Sequence, residues 1–119
     1  ADLLGLPHPR SYGTFPRVIA KYVREDGAIT LSEAIRKMSG WPATRMRLAE
    51  RGFLRAGFWA DIVIFDYETI QDRATYQSPV EFPAGIDYVI VNGTIVADHG
   101  KHTGARPGKV LYGPGKTAR

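Results

Sequence analysis

The most constraining stretch of the sequence is Tyr88-Val-Ile-Val91, Asn92-Gly93, Thr94-Ile-Val-Ala97. Asn-Gly between two runs of β-branched residues predicts a tight hairpin, because both turn positions favour positive φ. We also expect strands at Phe53-Leu54 and over residues 60–65, where β-branched residues dominate. The second half therefore predicts three or four strands. An open sheet of that size needs partners along its edges.

The first half of the chain has helical spacing instead. We predict a first helix that enters at Thr14-Phe15-Pro16, with Pro16 near its first position, and ends at Asp26-Gly27. Its apolar positions would be Phe15, Val18, Ile19, Tyr22 and Val23.

Two further helices are predicted before Gly52. The capping box Thr30-Leu-Ser-Glu33 opens a second helix. Its apolar stripe would be Leu31, Ala34, Ile35 and Met38. A third helix is expected over about residues 43–48, with Met46 packing inward.

Composition narrows the function classes. The chain has no cysteine, which excludes disulfides and cysteine-based metal sites. Its net charge of +4 is concentrated in a Gly/Pro-rich tail without any nucleic-acid-binding motif, so we do not expect a nucleic-acid partner. Apolar runs such as IVIF are too short to span a bilayer, so we expect no membrane partner. No signal peptide is visible, which favours a cytoplasmic location.

Few residues offer catalytic chemistry. The three histidines, His8, His99 and His102, do not fall in a metal-ligand spacing, and we expect His99 and His102 to lie on a surface loop. Asp61 and Asp66 flank the 60–65 run. Carboxylates in such positions more often cap turns than catalyse. Trp41 and Trp59 are expected to pack at a core or an edge.

The stretch HPRSYGTFPR, residues 8–17, is the exception. Arg10 would be held in a proline-stiffened loop, and its guanidinium suits bidentate capture of a carboxylate. Tyr12 could add a hydroxyl group. Arg17 would lie in the first helical turn, where the dipole disfavours a cation, so it is expected to point elsewhere.

Three stretches together resemble a known family: HPRSYGTFPRVIAKYVRE, LSEAIRKMSGWPATRMRLAERGFLRAGFWADIVIFD and ATYQSPVEFPAGIDYVIVNGTIVADHGKHTGARPGKVL. They look like the C-terminal end of the N-acyl-D-amino-acid deacylases, or D-aminoacylases, of the amidohydrolase superfamily. GFLRAGFWADIVIFD is similar to the general ending of that superfamily. HPRSYGTFPR and HTGARPGKVL are more specific to the deacylases. The resemblance runs from about His8 to Leu111.

The resemblance implies an α+β fragment. The terminal helices of a (β/α)8 metal-dependent hydrolase barrel, with an active-site loop, would occupy residues 1–51. The C-terminal strands of a small β-sandwich domain would follow over residues 52–112, and residues 113–119 would be a tail.

The same resemblance implies a zinc-dependent hydrolase that cleaves N-acyl-D-amino acids. No metal ligand maps onto this chain, so we expect it to bind no zinc and to be inactive by itself. Asp2 is the one candidate for the catalytic aspartate of the family, although Leu3 follows it where the family has glycine. Arg10, with Tyr12, would bind the substrate carboxylate.

The missing barrel implies partners for the strands. The N-terminal remainder of the enzyme, or another β-edge partner, would complete the sheet. The alternative is a β-domain module without a barrel that serves interaction or assembly.

Overall fold

The computed structural model describes residues 5–113. Helices come first and strands second. Helix α1 spans Arg10–Arg17 and continues as a π-helix over Val18–Glu25; α2 spans Leu31–Met38 and α3 Gly40–Arg45. The strands are β1 (Ile62–Phe65), β2 (Ile86–Val91), β3 (Thr94–Asp98) and β4 (Lys101–His102). The predicted α+β order is therefore present.

Helix α1 begins earlier than predicted. Pro9, with helical φ and ψ, is its N-cap, so Pro16 lies inside the helix. Arg10 is thus in the first turn rather than in a loop, and Arg17 lies in the middle of the continuous helix, where the helix dipole has little effect on a cation. Pro16 cannot donate a backbone hydrogen bond, and the π-helix begins two residues later. The predicted end at Asp26-Gly27 is confirmed, since Asp26 is the C-cap and Gly27 has φ of 58°.

The early start changes which face of the first helix is buried. Gly13, Pro16, Ile19, Ala20 and Val23 are buried. The predictions for Ile19 and Val23 are confirmed. Phe15 and Tyr22 are instead 62% and 46% exposed. They lie outside the buried stripe, which begins with Gly13 and Pro16. A helix predicted to start at Thr14 does not include Gly13, so its apolar pattern does not show this stripe.

The second helix forms as predicted. The Thr30 hydroxyl accepts a hydrogen bond from the Glu33 backbone N–H at 3.2 Å. The Glu33 carboxylate binds Arg36 rather than returning to the cap. Of the predicted stripe, Ala34 is fully buried and Ile35 is 39% exposed.

Helix α3 starts three residues before the predicted position and ends at Arg45. The third residue of α3 is Pro42. Proline is tolerated in the first turn of a helix, because the N–H that it lacks would have had no partner there. The prediction that Met46 packs inward is wrong: Met46 is the C-cap and is 65% exposed.

The four strands form one antiparallel sheet in the order β1-β2-β3-β4. The predicted hairpin is present, with φ of 48° at Asn92 and 80° at Gly93. His99-Gly100 forms a similar positive-φ turn that adds β4, a strand that the sequence reasoning missed. The prediction that Phe53-Leu54 is a strand is wrong. Gly52 and Gly57 adopt positive φ on either side, and Phe53 packs against Gly40.

Buried apolar surface is small and lies mostly beside the first helix. Its largest members are Ile19, Val23 and Ile70, and no large side chain of residues 5–113 is fully buried. The Cα radius of gyration is 16.2 Å, whereas a compact domain of this length has about 13.5 Å. Both observations favour a chain that packs against further protein. None of the helices in the part described has the length and apolarity needed to cross a membrane.

The two edges of the sheet differ: β4 discourages pairing with a further strand, whereas β1 allows it. β4 has two residues and carries Lys101, both of which discourage strand pairing. Strand β1 is wholly apolar, has only β2 beside it in the described sheet, and leaves Val63 53% exposed. We therefore predict that the chain self-associates through β1.

Val63→Lys should shift this equilibrium towards monomer, because a charge on an edge strand opposes pairing. Light scattering over a concentration series measures the shift. Ala56→Lys, which adds the same charge in an exposed turn, is the control. A concentration-independent monomer before mutation would contradict the prediction.

Candidate functional site

A cavity of about 530 Å³ lies between α1 and the segment 72–77. One wall comprises His8, Pro9 and a face of the helix that reaches Tyr22; the other comprises Asp72 and residues 74–77. The HPRSYGTFPR stretch thus contributes to a concave surface.

Arg10 lines this cavity at the first position of α1. Its side chain is exposed, and no carboxylate among residues 5–113 pairs with it. The Thr14 hydroxyl donates a hydrogen bond to the Arg10 carbonyl oxygen at 2.6 Å. The backbone of Arg10 is therefore fixed while its guanidinium is available to an anion.

Arg17 lines the same cavity but is already paired. Its Nη1 lies 3.1 Å from Oδ2 of Asp72, whose side chain is 14% exposed. The hydrogen bond to Asp72, followed by charge attraction, raises the pKa of Arg17. Asp72 thus neutralises Arg17, whereas Arg10 has no carboxylate partner among residues 5–113.

Gly13 allows α1 and the segment 72–77 to approach closely. A Cβ at position 13 would lie 2.8 Å from the Cβ of Asp72. Such a contact is too short, and Asp72 could relieve it only by moving its backbone, because its Cβ is not the end of a flexible side chain.

His8 connects the two walls. Its Nδ1 accepts a hydrogen bond from the Arg10 backbone N–H at 3.1 Å, and its Nε2 lies 3.2 Å from the Tyr76 hydroxyl. The two rings meet edge to face, with centroids 5.2 Å apart.

The structure does not bring Tyr12 into this cavity. The Tyr12 ring is half-buried and packs edge to face on Phe82, with centroids 5.6 Å apart. Residues two apart on a helix point in different directions, which separates Tyr12 from Arg10. Substrate binding by Tyr12 stays a prediction. Asp2 lies outside the described residues.

Of the remaining histidines, His99 lies in the turn between β3 and β4, and His102 is the last residue of β4. His99 Nδ1 lies 2.6 Å from Asp98 Oδ1, and this hydrogen bond raises the pKa of His99. His102 Nδ1 accepts from the Gly104 backbone N–H. Across residues 5–113, no group of three or more His, Asp or Glu side chains is placed to hold a metal ion.

The two acids beside β1 cap turns, as predicted. Asp61 accepts from the Asn92 backbone N–H and pairs with Arg51. Asp66 accepts from the Glu68 backbone N–H at 2.9 Å.

The two tryptophans pack against cations at the surface rather than in a core. Trp41 lies under Arg36, with its ring centroid 4.7 Å from Cζ. Trp59 contacts Arg51 and Lys109, at 5.1 and 5.3 Å from its ring centroid.

Comparison with known proteins gives the site a context. The family described as "Amidohydrolase family" matches residues 6–97, so the chain belongs to the amidohydrolase family. A D-aminoacylase of Alcaligenes xylosoxydans xylosoxydans is 49% identical over 105 residues, which cover 88% of this chain and 22% of that protein.

Solved structures agree with this assignment. The crystal structure of D-aminoacylase superposes with a TM-score of 0.83 at 46% identity, over 84% of this chain and 21% of that one. N-acyl-D-glutamate deacylase from Bordetella bronchiseptica, solved with zinc and a phosphonate inhibitor, gives 0.76 at 45% identity, over 79% of this chain and 21% of that one. The chain therefore spans about a fifth of the length of these deacylases.

Gly13→Ala tests the close approach of the two walls. Helix propensity alone would favour alanine by roughly 1 kcal/mol. We expect the contact with Asp72 to reverse this and lower the free energy of unfolding by about 1–2 kcal/mol. Urea unfolding measures it. Ser11→Ala, at an exposed position of the same helix, should be neutral or stabilising. A Gly13→Ala variant as stable as the unmutated chain would contradict the contact.

Proposed function

We propose that this chain is the C-terminal portion of a zinc-dependent deacylase that hydrolyses N-acyl-D-amino acids to a carboxylate and a free D-amino acid. Residues 1–51 would be the last helices of a (β/α)8 barrel, and residues 52–112 would belong to a small β-sandwich domain. The names of the similar proteins support the reaction class. By itself the chain would be inactive.

The observation that carries the proposal is that Arg10 lines the cavity and that its guanidinium pairs with no carboxylate among residues 5–113. Every N-acyl-amino acid has a carboxylate, and arginine binds carboxylates through two parallel hydrogen bonds. Asp72 already pairs with Arg17, so a substrate carboxylate would bind Arg10 rather than Arg17. The first turn of α1 adds a favourable dipole for a negative group. Arg10 would therefore bind and orient the substrate.

Zinc would be held by other parts of the enzyme. The described residues do not provide a ligand set, since no three suitable side chains of residues 5–113 converge. We therefore propose that residues 5–113 contribute to substrate binding and not to zinc binding.

A second candidate is an interaction or assembly module without a barrel. The exposed apolar edge of β1 and the small buried core favour it, because both call for further protein. A module without a barrel would have no substrate carboxylate for Arg10 to bind, so the kinetics of Arg10 variants discriminate the two candidates.

Arg10→Lys in the complete deacylase should keep the charge but lose the two-pronged geometry. Loss of a charge-assisted hydrogen bond costs about 1.5–3 kcal/mol, so kcat/KM for an N-acyl-D-amino acid should fall roughly ten- to a hundredfold. The fall should be much smaller for an N-acyl amine that lacks the carboxylate.

Arg73→Lys is the matched control, because Arg73 is exposed and is not among the residues that line the cavity. It should leave both rates unchanged. Melting temperatures of all three proteins should agree. Equal losses by Arg10→Lys on both substrates would show that Arg10 only supports the local structure, and the carboxylate role would be wrong.

A further inference from the structure

We propose that His8 and Tyr76 are positioning residues for Arg10: the imidazole of His8 caps the helix that carries the guanidinium, and Tyr76 on the opposite wall fixes that imidazole. This inference rests on the proposed role of Arg10 in binding the substrate carboxylate.

The cap is needed because the residue before α1 cannot provide it. The N-cap is Pro9, which has no side-chain oxygen to accept a backbone N–H. Ser11 donates to the carbonyl of His8 at 3.0 Å, and Tyr12 and Gly13 donate to the carbonyl of Pro9. The backbone N–H of Arg10 is the one left over, and His8 Nδ1 accepts it.

This arrangement determines where the His8 proton lies. Nδ1 must keep its lone pair to accept from Arg10, so in the neutral ring Nε2 carries the proton. Nε2–H then points at the Tyr76 hydroxyl, 3.2 Å away, and donates to it. The edge-to-face contact of the rings restrains the orientation of the imidazole further.

The chain of contacts therefore runs from the segment 72–77 to the backbone of Arg10. If Tyr76 is lost, the imidazole is free to rotate and the cap weakens. If the cap is lost, the first turn frays and the guanidinium samples positions away from the carboxylate. Neither residue needs to touch the substrate for this effect.

Two substitutions of His8 separate its two hydrogen bonds. In His8→Asn the amide oxygen occupies the place of Nδ1 and can keep the cap, but it does not reach Tyr76. In His8→Gln the amide lies near the place of Nε2 and loses the cap. Tyr76→Phe removes only the hydroxyl group.

Kinetics of the complete deacylase on an N-acyl-D-amino acid and on an N-acyl amine without a carboxylate give the readout. We expect His8→Gln to lower kcat/KM roughly five- to tenfold on the carboxylate substrate, as one hydrogen bond is lost. His8→Asn and Tyr76→Phe should lose roughly two- to threefold there. The value of kcat/KM for the amine substrate should not change. In an Arg10→Lys background, His8→Gln should have almost no further effect on kcat/KM for the carboxylate substrate.

The outcomes separate this inference from the proposed function. Suppose that Arg10→Lys lowers kcat/KM selectively for the carboxylate substrate. The inference is then wrong, and the proposed function stands, if His8→Gln has the kcat/KM of the wild type, lowers kcat/KM equally for both substrates, or has an effect that adds fully to that of Arg10→Lys. If Arg10→Lys itself loses equally on both substrates, the proposed function is wrong, and this inference is wrong with it.

Nitrogen NMR of His8 in the folded protein is a second test that needs no variant. At a pH where the ring is neutral, the account predicts the Nε2–H tautomer. A dominant Nδ1–H tautomer would overturn the inference, because that nitrogen could not then accept from Arg10.

Discussion

The packing of the first helix against residues 67–77 is the constraint on which the rest of the candidate site depends. Arg24 donates to the carbonyl oxygens of Tyr67 and Ile70 at 2.7 and 2.9 Å, which fixes the residues just before the segment 72–77. Gly13 then lets Asp72 come close enough to pair with Arg17. The cavity, and the position of Tyr76 within it, follow from these contacts.

That packing also explains how one arginine is left available while its neighbour is not. Two cations at the edge of one cavity repel each other unless an acid compensates. Asp72 compensates Arg17 alone, because the helix places Arg17 two turns from Arg10. Of the two arginines that line the cavity, Arg10 is therefore the one whose charge no carboxylate among residues 5–113 compensates, and it lies at the positive end of a helix.

The structural features that the sequence predicts correctly are those that form between residues close together in the chain. The Asn92-Gly93 hairpin and the Thr30 cap arise within a few residues, and both are confirmed. The start of α1 was missed because Pro16 resembles a helix entry, whereas Pro9 fills that place. The wall formed by Asp72 and Tyr76 is more than fifty residues from α1, and no periodicity in either segment indicates that they meet. Apolar character alone predicts inward positions for Phe15 and Met46, because it does not say whether a partner surface is present.

The central claim is that Arg10 is held ready for a carboxylate. A crystal structure of the complete deacylase with a non-hydrolysable N-acyl-D-amino-acid analogue tests it most directly. The account predicts both carboxylate oxygens within about 2.7–2.9 Å of the Arg10 guanidinium nitrogens, the range of charge-assisted hydrogen bonds, with His8 still bound to the Arg10 backbone. A carboxylate held by other groups, with Arg10 turned towards solvent, would contradict it.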